Sequence, residues 1–143
     1  MTRQQKYPDS FVYHYHNANP KGRITADCVI RAISTALNQD YNETLNELCQ
    51  LQMETGYMLN DKKCYEKYLD MKGWIKCKQP RKIDGTKYTG HEFCSSGIIK
   101  KLQLGKRIVA HIGGHHLVAI IDGRVWDTWN STGGCIGNYW IKK

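Results

Sequence analysis

One cysteine of the chain lies where a thiol can become a nucleophile. From Asp27 to Leu37 the apolar side chains recur at helical spacing, and Thr25 or Asp27 can cap the first turn. Cys28 therefore falls among the first residues of a predicted helix. The positive end of a helix macrodipole stabilises a thiolate over a thiol, so we predict Cys28 as the candidate nucleophile.

The other five cysteines are less favourably placed for this chemistry. Only Cys94 also precedes a predicted helix, and it is the one rival; the rest fall inside helices (Cys49, Cys64), in a strand (Cys77) or in a loop (Cys135). The sequence has no CxxC pair, and its N-terminus lacks the apolar stretch of a signal peptide. We expect a cytoplasmic protein with free thiols.

A predicted hairpin supplies a base and a carboxylate for the thiol. If residues 122–123 form a two-residue turn, the register places His116 and Asp127 on one face of the hairpin as diagonal neighbours. The carboxylate of Asp127 can then orient the imidazole. The same count puts His115 and Asn130 off that face, and a slip of one residue would reverse both choices.

The chain order of the predicted elements is helices first and strands afterwards. This order is typical of an α+β domain, and we expect a single domain over residues 1–143 with 1–22 as an N-terminal arm or edge strand. Further helices are predicted at 42–55, at 61–71 and from a cap at Ser95 or Ser96 to Leu104. Strands are predicted at 74–78, 107–112, 116–121, 124–129 and 136–141.

The order Cys28, His116, Asp127, with the cysteine opening a helix and the other two on a following sheet, resembles that of papain-like cysteine peptidases. Asp27-Cys28 is similar to the nucleophile segment of bacteriocin-leader-processing peptidases. Residues 114–119 resemble the histidine strand of the papain family, and 127–129 its Asn-Ser-Trp segment with Asp replacing Asn. The two motif regions together also resemble small phage-encoded papain-like proteins.

The resemblance implies a papain-like fold in which N-terminal helices, the nucleophile helix first, pack on a C-terminal antiparallel sheet. It implies a thiol hydrolase that acts on a peptide or protein substrate without a cofactor: Cys28 attacks a carbonyl, His116 transfers the proton and Asp127 holds the imidazole. Trp129 would shield the contact between His116 and Asp127 from water. In a phage-encoded protein the expected location would be the host cytoplasm.

The chain departs from the papain pattern at the oxyanion hole. Papain relatives carry a Gln about six residues before the cysteine, and Gly22 stands there in this sequence. The backbone amide of Cys28 can supply one donor. Asn17, Asn19 or Thr25 is the candidate for the other.

Three alternatives remain open from the sequence. A two-residue turn at 113–114 would set His111 opposite His116, which together with Asp127 and the nearby Cys28 would suit zinc. Transglutaminases and arylamine acetyltransferases share the Cys-His-Asp arrangement, so the acyl acceptor is undecided.

The third alternative is a binding protein without enzymatic activity. The formal net charge is +8, and residues 61–107 hold thirteen Lys or Arg against five Asp or Glu. This basic band favours an acidic protein partner or nucleic acid, or it is a solvated face. No stretch of the sequence is apolar and long enough for a membrane span, so a membrane partner is not expected.

Overall fold

The structure is a computed structural model that describes residues 1–142 and has a mixed α+β architecture. The described helices are α1 (Arg3–Lys6), α2 (Cys28–Ala36), α3 (Tyr41–Thr55), α4 (Lys62–Met71), α5 (Gly90–Ser95) and α6 (Ile98–Lys101). The strands are β1 (Tyr13–Tyr15), β2 (Trp74–Cys77), β3 (Arg107–Ile112), β4 (His116–Ile121), β5 (Arg124–Asp127) and β6 (Ile136–Lys142). They form one sheet in the order β1-β5-β4-β3-β6-β2.

Three helices cover one face of the sheet. The apolar side of α2 packs with α3 and α4 on alternate residues of the central strands, among them Val109 and Leu117. Asp40 and Asp61 cap the starts of α3 and α4 by accepting backbone N–H bonds. The helices α2, α3 and α4 confirm the predicted helical segments to within one residue at most ends.

The opposite face is covered by two short helices where the sequence predicted one. Thr89 and Glu92 form a capping box that starts α5 before the expected cap at Ser95 or Ser96. Gly97, with a φ of 84°, then separates α5 from α6. As a result Cys94 lies inside a helix instead of preceding one, which was the basis for considering it a rival nucleophile.

The hairpin that carries the candidate base and carboxylate has the predicted register. Asp122 and Gly123 have φ values of 49° and 76°, as a two-residue type I′ turn requires, and Ile121 pairs with Arg124. The strand β5 ends at Asp127, two residues before the predicted end.

The sheet is mixed instead of wholly antiparallel, and it is not formed by the C-terminal part of the chain alone. The N-terminal strand β1 lies at one edge and pairs in parallel with β5, with Tyr15 beside Asp127. Of the two alternatives left open for residues 1–22, an arm or an edge strand, residues 13–15 form an edge strand. The strand β2 forms the other edge, antiparallel to β6.

The connection between β3 and β4 differs from the predicted two-residue turn. Ile112 pairs with His116, so the loop has three residues and ends at His115. His111 consequently lies opposite Leu117. The predicted pairing of His111 with His116 is wrong, because His115 belongs to the loop and shifts the register by one residue.

None of the described helices has the length and apolar character needed to cross a membrane.

The close approach of Gly90 to the loop after β5 generates a stability prediction. A Cβ at Gly90 would lie 2.8 Å from Ile112 Cδ1 and 3.1 Å from the backbone of Thr132. We expect Gly90→Ala to lower the free energy of unfolding by about 1–3 kcal/mol in urea titrations, the usual cost of overpacking. Gly133→Ala is the control, since a Cβ there meets nothing within 4 Å; equal effects of the two variants would contradict the contact.

Candidate active site

The candidate nucleophile and base meet where the start of α2 faces the start of β4. Cys28 is the first residue of α2 and His116 the first of β4. Both line a cavity of about 350 Å³, and the imidazole of His116 is the group that most lowers the pKa of the Cys28 thiol. The backbone N–H of Cys28 has no acceptor within its own helix, because it belongs to the first turn.

The carboxylate of Asp127 holds the other side of the imidazole. His116 Nε2 lies 2.5 Å from Asp127 Oδ2, which leaves Nδ1 as the ring nitrogen for the thiol. The ring of Trp129 lies 5.3 Å from that of His116, centroid to centroid. Trp129 is itself 38% exposed, and its shielding of the contact between His116 and Asp127 stays a prediction.

Asp127 is a buried carboxylate, 1% exposed, and both of its oxygens are fully used. Oδ1 accepts from Arg31 Nη1 at 3.0 Å and from the N–H of Thr128 at 2.8 Å. Oδ2 accepts from Ser131 Oγ at 2.8 Å in addition to His116. A buried charge needs this degree of compensation to stay ionised. Asn130, the alternative to Asp127, is exposed and its side chain accepts from Thr132.

Sequence reasoning missed Arg31, which connects two buried carboxylates. Its Nε donates to Asp27 Oδ1 at 2.8 Å, and its Nη1 donates to Asp127. Two signals could have found it. Arg31 is the only charged residue between Asp27 and Gln39, on an otherwise apolar helix, and it follows Asp27 by four residues, the spacing of a helical ion pair.

The electrostatics of the site favour a thiolate and an imidazolium. Burial raises the pKa of Cys28, but the hydrogen bond with His116 and the backbone N–H of Leu117 outweigh it, and the net pKa is lowered. Burial lowers the pKa of His116, but Asp127 and Cys28 outweigh it and raise the pKa to about 9. Burial likewise raises the pKa of Asp127, and His116, Ser131 and Thr128 lower it overall.

The thiols with shifted pKa outside the site are shifted in the opposite direction. Burial raises the pKa of Cys94 to about 12 and raises those of Cys64 and Cys77 as well. The position of Cys94 inside α5 and its raised pKa therefore both argue against it as a rival nucleophile. Cys28 combines a lowered pKa with a cavity that gives access to it.

Two of the three side chains proposed for the oxyanion hole, Asn17 and Asn19, donate their amides elsewhere. Asn19 Nδ2 donates to Asp27 Oδ2 at 3.1 Å, and Asn17 Nδ2 donates to the carbonyl of Arg23. The prediction that Asn19 supports the oxyanion hole is corrected, because the side-chain amide of Asn19 donates to the buried carboxylate of Asp27 instead. Asn60, in the bend before α4, was missed, and it lines the cavity with Cys28.

The ligand set expected for zinc is not assembled. His111 lies opposite Leu117 instead of His116, although both histidines line the cavity of Cys28. Within residues 1–142, no three His, Cys, Asp or Glu side chains are grouped to hold one metal ion.

The basic band is partly neutralised by carboxylates within it and on α3. Lys72 pairs with Glu47, Lys76 pairs with Glu66, and Lys82 with Glu92. Lys62 differs, because its Nζ donates to the neutral Asn138 Oδ1 at 2.6 Å.

In comparisons with known proteins, no family model, curated protein or solved structure matched this chain.

The buried position of Arg31 predicts that its removal destabilises the protein. Arg31→Met leaves Asp27 and Asp127 without their shared cation, so we expect a loss of about 3–5 kcal/mol in the free energy of unfolding at pH 7. Urea titrations measure it. Arg23→Met is the matched control, since Arg23 is exposed, and we expect a change within about 0.5 kcal/mol.

The pH dependence of that loss follows from the two carboxylates. Their pKa values are lowered in the folded protein, so their contribution to stability is present above about pH 4 and is lost as the pH falls through the folded pKa. Without Arg31 they protonate more readily. The deficit of Arg31→Met should therefore shrink from pH 7 towards pH 4, and a constant deficit would argue against unpaired charge as its cause.

Proposed function

We propose that the protein is a thiol hydrolase of the cysteine peptidase type, in which Cys28, His116 and Asp127 act as a triad. The observation that carries the proposal is one arrangement of three side chains. A thiol at a helix start shares a cavity with an imidazole that lowers its pKa, and one nitrogen of that imidazole is held by a buried, ionised carboxylate. This arrangement supports acyl transfer because it supplies an ionised nucleophile and a proton donor together.

The proposed reaction begins with the ion pair already formed. The thiolate of Cys28 attacks a carbonyl carbon, a C–S bond forms, and the electron pair of the C=O bond moves to its oxygen. The N–H of Cys28 and the amide of Asn60 are the candidate donors to that oxyanion. The intermediate then collapses as the C–N bond breaks, and the imidazolium of His116 protonates the departing amine.

Hydrolysis of the thioester completes the cycle. His116, now neutral, takes a proton from water as the water oxygen attacks the thioester carbonyl, and the C–S bond breaks to release the acid and restore the thiolate. Asp127 stabilises the imidazolium through both proton transfers. An amine in place of water would turn the same steps into acyl transfer, as in the transglutaminases and acetyltransferases.

The papain-like arrangement is part of this proposal. Its support is the chain order of the three residues, the position of Cys28 on the first helix of the α2–α4 layer, and the antiparallel hairpin that carries His116 and Asp127. The ring of Trp129 against His116 adds to the support. The parallel strand β1 is a feature that the resemblance did not predict.

Alkylation rates test the ion pair. With limiting iodoacetamide at pH 6, Cys28 should react before the other five thiols, because its thiolate is already present at that pH. His116→Ala removes the group that lowers the pKa of Cys28, so labelling of Cys28 should slow on the order of tenfold or more, one power of ten for each pKa unit. Peptide mapping by mass spectrometry gives the site and the rate.

His91→Ala is the matched control for that substitution. His91 is exposed and lies on α5, on the opposite side of the sheet from the triad helix, so its removal should leave the rate at Cys28 unchanged. If all six thiols label uniformly, or if the two histidine variants behave alike, the thiolate–imidazolium pair is refuted.

A generic acyl donor tests the proposed covalent intermediate. Mixing the protein with p-nitrophenyl acetate should release nitrophenol in a burst and leave one acetyl group on Cys28, as a thioester that neutral hydroxylamine removes. Cys28→Ala should lose both the burst and the labile acetyl group. Stable acetylation that persists in Cys28→Ala would instead mark reactive lysines and count against the enzyme.

A further inference from the structure

The cavity in front of Cys28 is lined by basic and neutral groups and by no carboxylate. Besides Cys28 and His116, its polar lining consists of Lys62, His111, His115, Asn60 and Tyr65. A lining of one sign raises the local concentration of ligands of the opposite charge. Lys62 also lines a larger cavity, whose walls hold Asp61, Glu66 and Asp70 besides other lysines, so Lys62 lies between a cavity with carboxylates and one without them.

Lys62 is held in the cavity by a partner that does not neutralise it. Its Nζ donates to Asn138 Oδ1, and Asn138 Nδ2 in turn donates to the carbonyl of Cys77. The lysines that pair with Glu47, Glu66 and Glu92 have their charge compensated. An ammonium fixed by a neutral amide remains available to an anion that enters the cavity.

His111 sits beside Lys62 and is kept neutral by its surroundings. Burial lowers its pKa, and the positive charge of Lys62 lowers it further. Its ring packs on Gly137, where a Cβ would lie 3.0 Å from His111 Nδ1, so the strand β6 leaves room for this side chain. At neutral pH His111 can thus offer an N–H to a ligand while Lys62 supplies the charge.

The charge of Lys62 has no large part in activating the nucleophile. The groups that chiefly lower the pKa of Cys28 are His116, the backbone of Leu117 and Arg31. Lys62 is therefore free to act on the ligand, and removing it should leave the thiolate largely as it is.

We propose that the site takes acidic peptides, with a Glu or Asp side chain next to the scissile carbonyl bound by Lys62. This inference rests on the proposed thiol hydrolase. The basic band at residues 61–107 predicted an acidic partner. Under this proposal that partner is the substrate, and the part of the band that binds it is Lys62.

Two alkylating agents of nearly equal size test the charge of the cavity. Iodoacetate carries a carboxylate beside its reactive carbon, and iodoacetamide carries a neutral amide there. At low ionic strength and pH 7, Lys62→Met should lower the rate of iodoacetate at Cys28 by about threefold to tenfold, with the iodoacetamide rate within about twofold of wild type. Added salt should reduce the difference.

Lys63→Met is the matched control, because Lys63 carries the same charge on the same helix turn but contacts the ring of Tyr57 outside this cavity. It should leave the ratio of the two rates unchanged. An identical ratio in the two variants would overturn the proposal, and an equal fall of both rates in Lys62→Met would assign Lys62 a structural role instead. Failure of the thiol hydrolase itself is distinguishable, since Cys28 would then not react preferentially with iodoacetamide in wild type.

Protection experiments identify the source of the carboxylate. Millimolar acetyl-Ala-Glu-Ala-amide should slow the reaction of Cys28 with iodoacetamide more than acetyl-Ala-Gln-Ala-amide, and Lys62→Met should abolish the difference. Equal effects of these two peptides would contradict recognition of an acidic side chain. If only acetyl-Ala-Gln-Ala with a free C-terminus protects Cys28, the cavity recognises the C-terminal carboxylate of a peptide instead of an acidic side chain, and the proposal is overturned.

Discussion

The site depends on keeping one carboxylate ionised inside the protein. Asp127 is almost fully buried, and a buried carboxylate without partners would protonate and lose its hold on His116. Four donors prevent this: a guanidinium, a hydroxyl, a backbone amide and the imidazole itself. Because these donors come from three different segments, the charge of Asp127 also fixes how α2, β4 and the loop after β5 meet.

The N-terminal arm forms hydrogen bonds with the backbone at the end of β5. Tyr13 Oη and the N–H of His16 both donate to the carbonyl of Asp127, and Arg3 Nε donates to the carbonyl of Thr128. The strand β1 thereby satisfies the backbone on the open side of β5, which would otherwise be an unpaired edge. The end of β5 is held through its side chain from one direction and through its backbone from the other. Precise placement of His116 follows from this double restraint.

Local signals in the sequence were sufficient to place His116 beside Asp127, and they failed where contacts are distant. The turn at 122–123 has the residues that a type I′ hairpin requires, so the register of His116 against Asp127 could be counted. The three-residue loop before β4 could not, because its two glycines suit either length. The parallel pairing of β1 with β5 joins residues more than a hundred positions apart, and no turn between them encodes its register.

The role of Arg31 shows why polar networks are harder to read than periodicity. Its spacing from Asp27 indicates a helical ion pair, but nothing local links it to Asp127, which lies 96 residues away in the chain. The same holds for Lys62, whose neutral partner Asn138 is 76 residues distant. The role of each cation depends on the groups that it contacts, and those contacts are determined by the fold.

Arg31 and Lys62 lie on different sides of the site and differ in how their charges are compensated. Arg31 lies behind the triad, where its charge is offset by Asp27 and Asp127. Lys62 lies in the cavity before the thiol, held by an amide that leaves its charge uncompensated. A charge balanced by two carboxylates stabilises the fold, whereas an unbalanced one in a cavity attracts ligands of opposite sign. The distribution of partners, more than the number of lysines, therefore indicates where this basic protein would bind an anion.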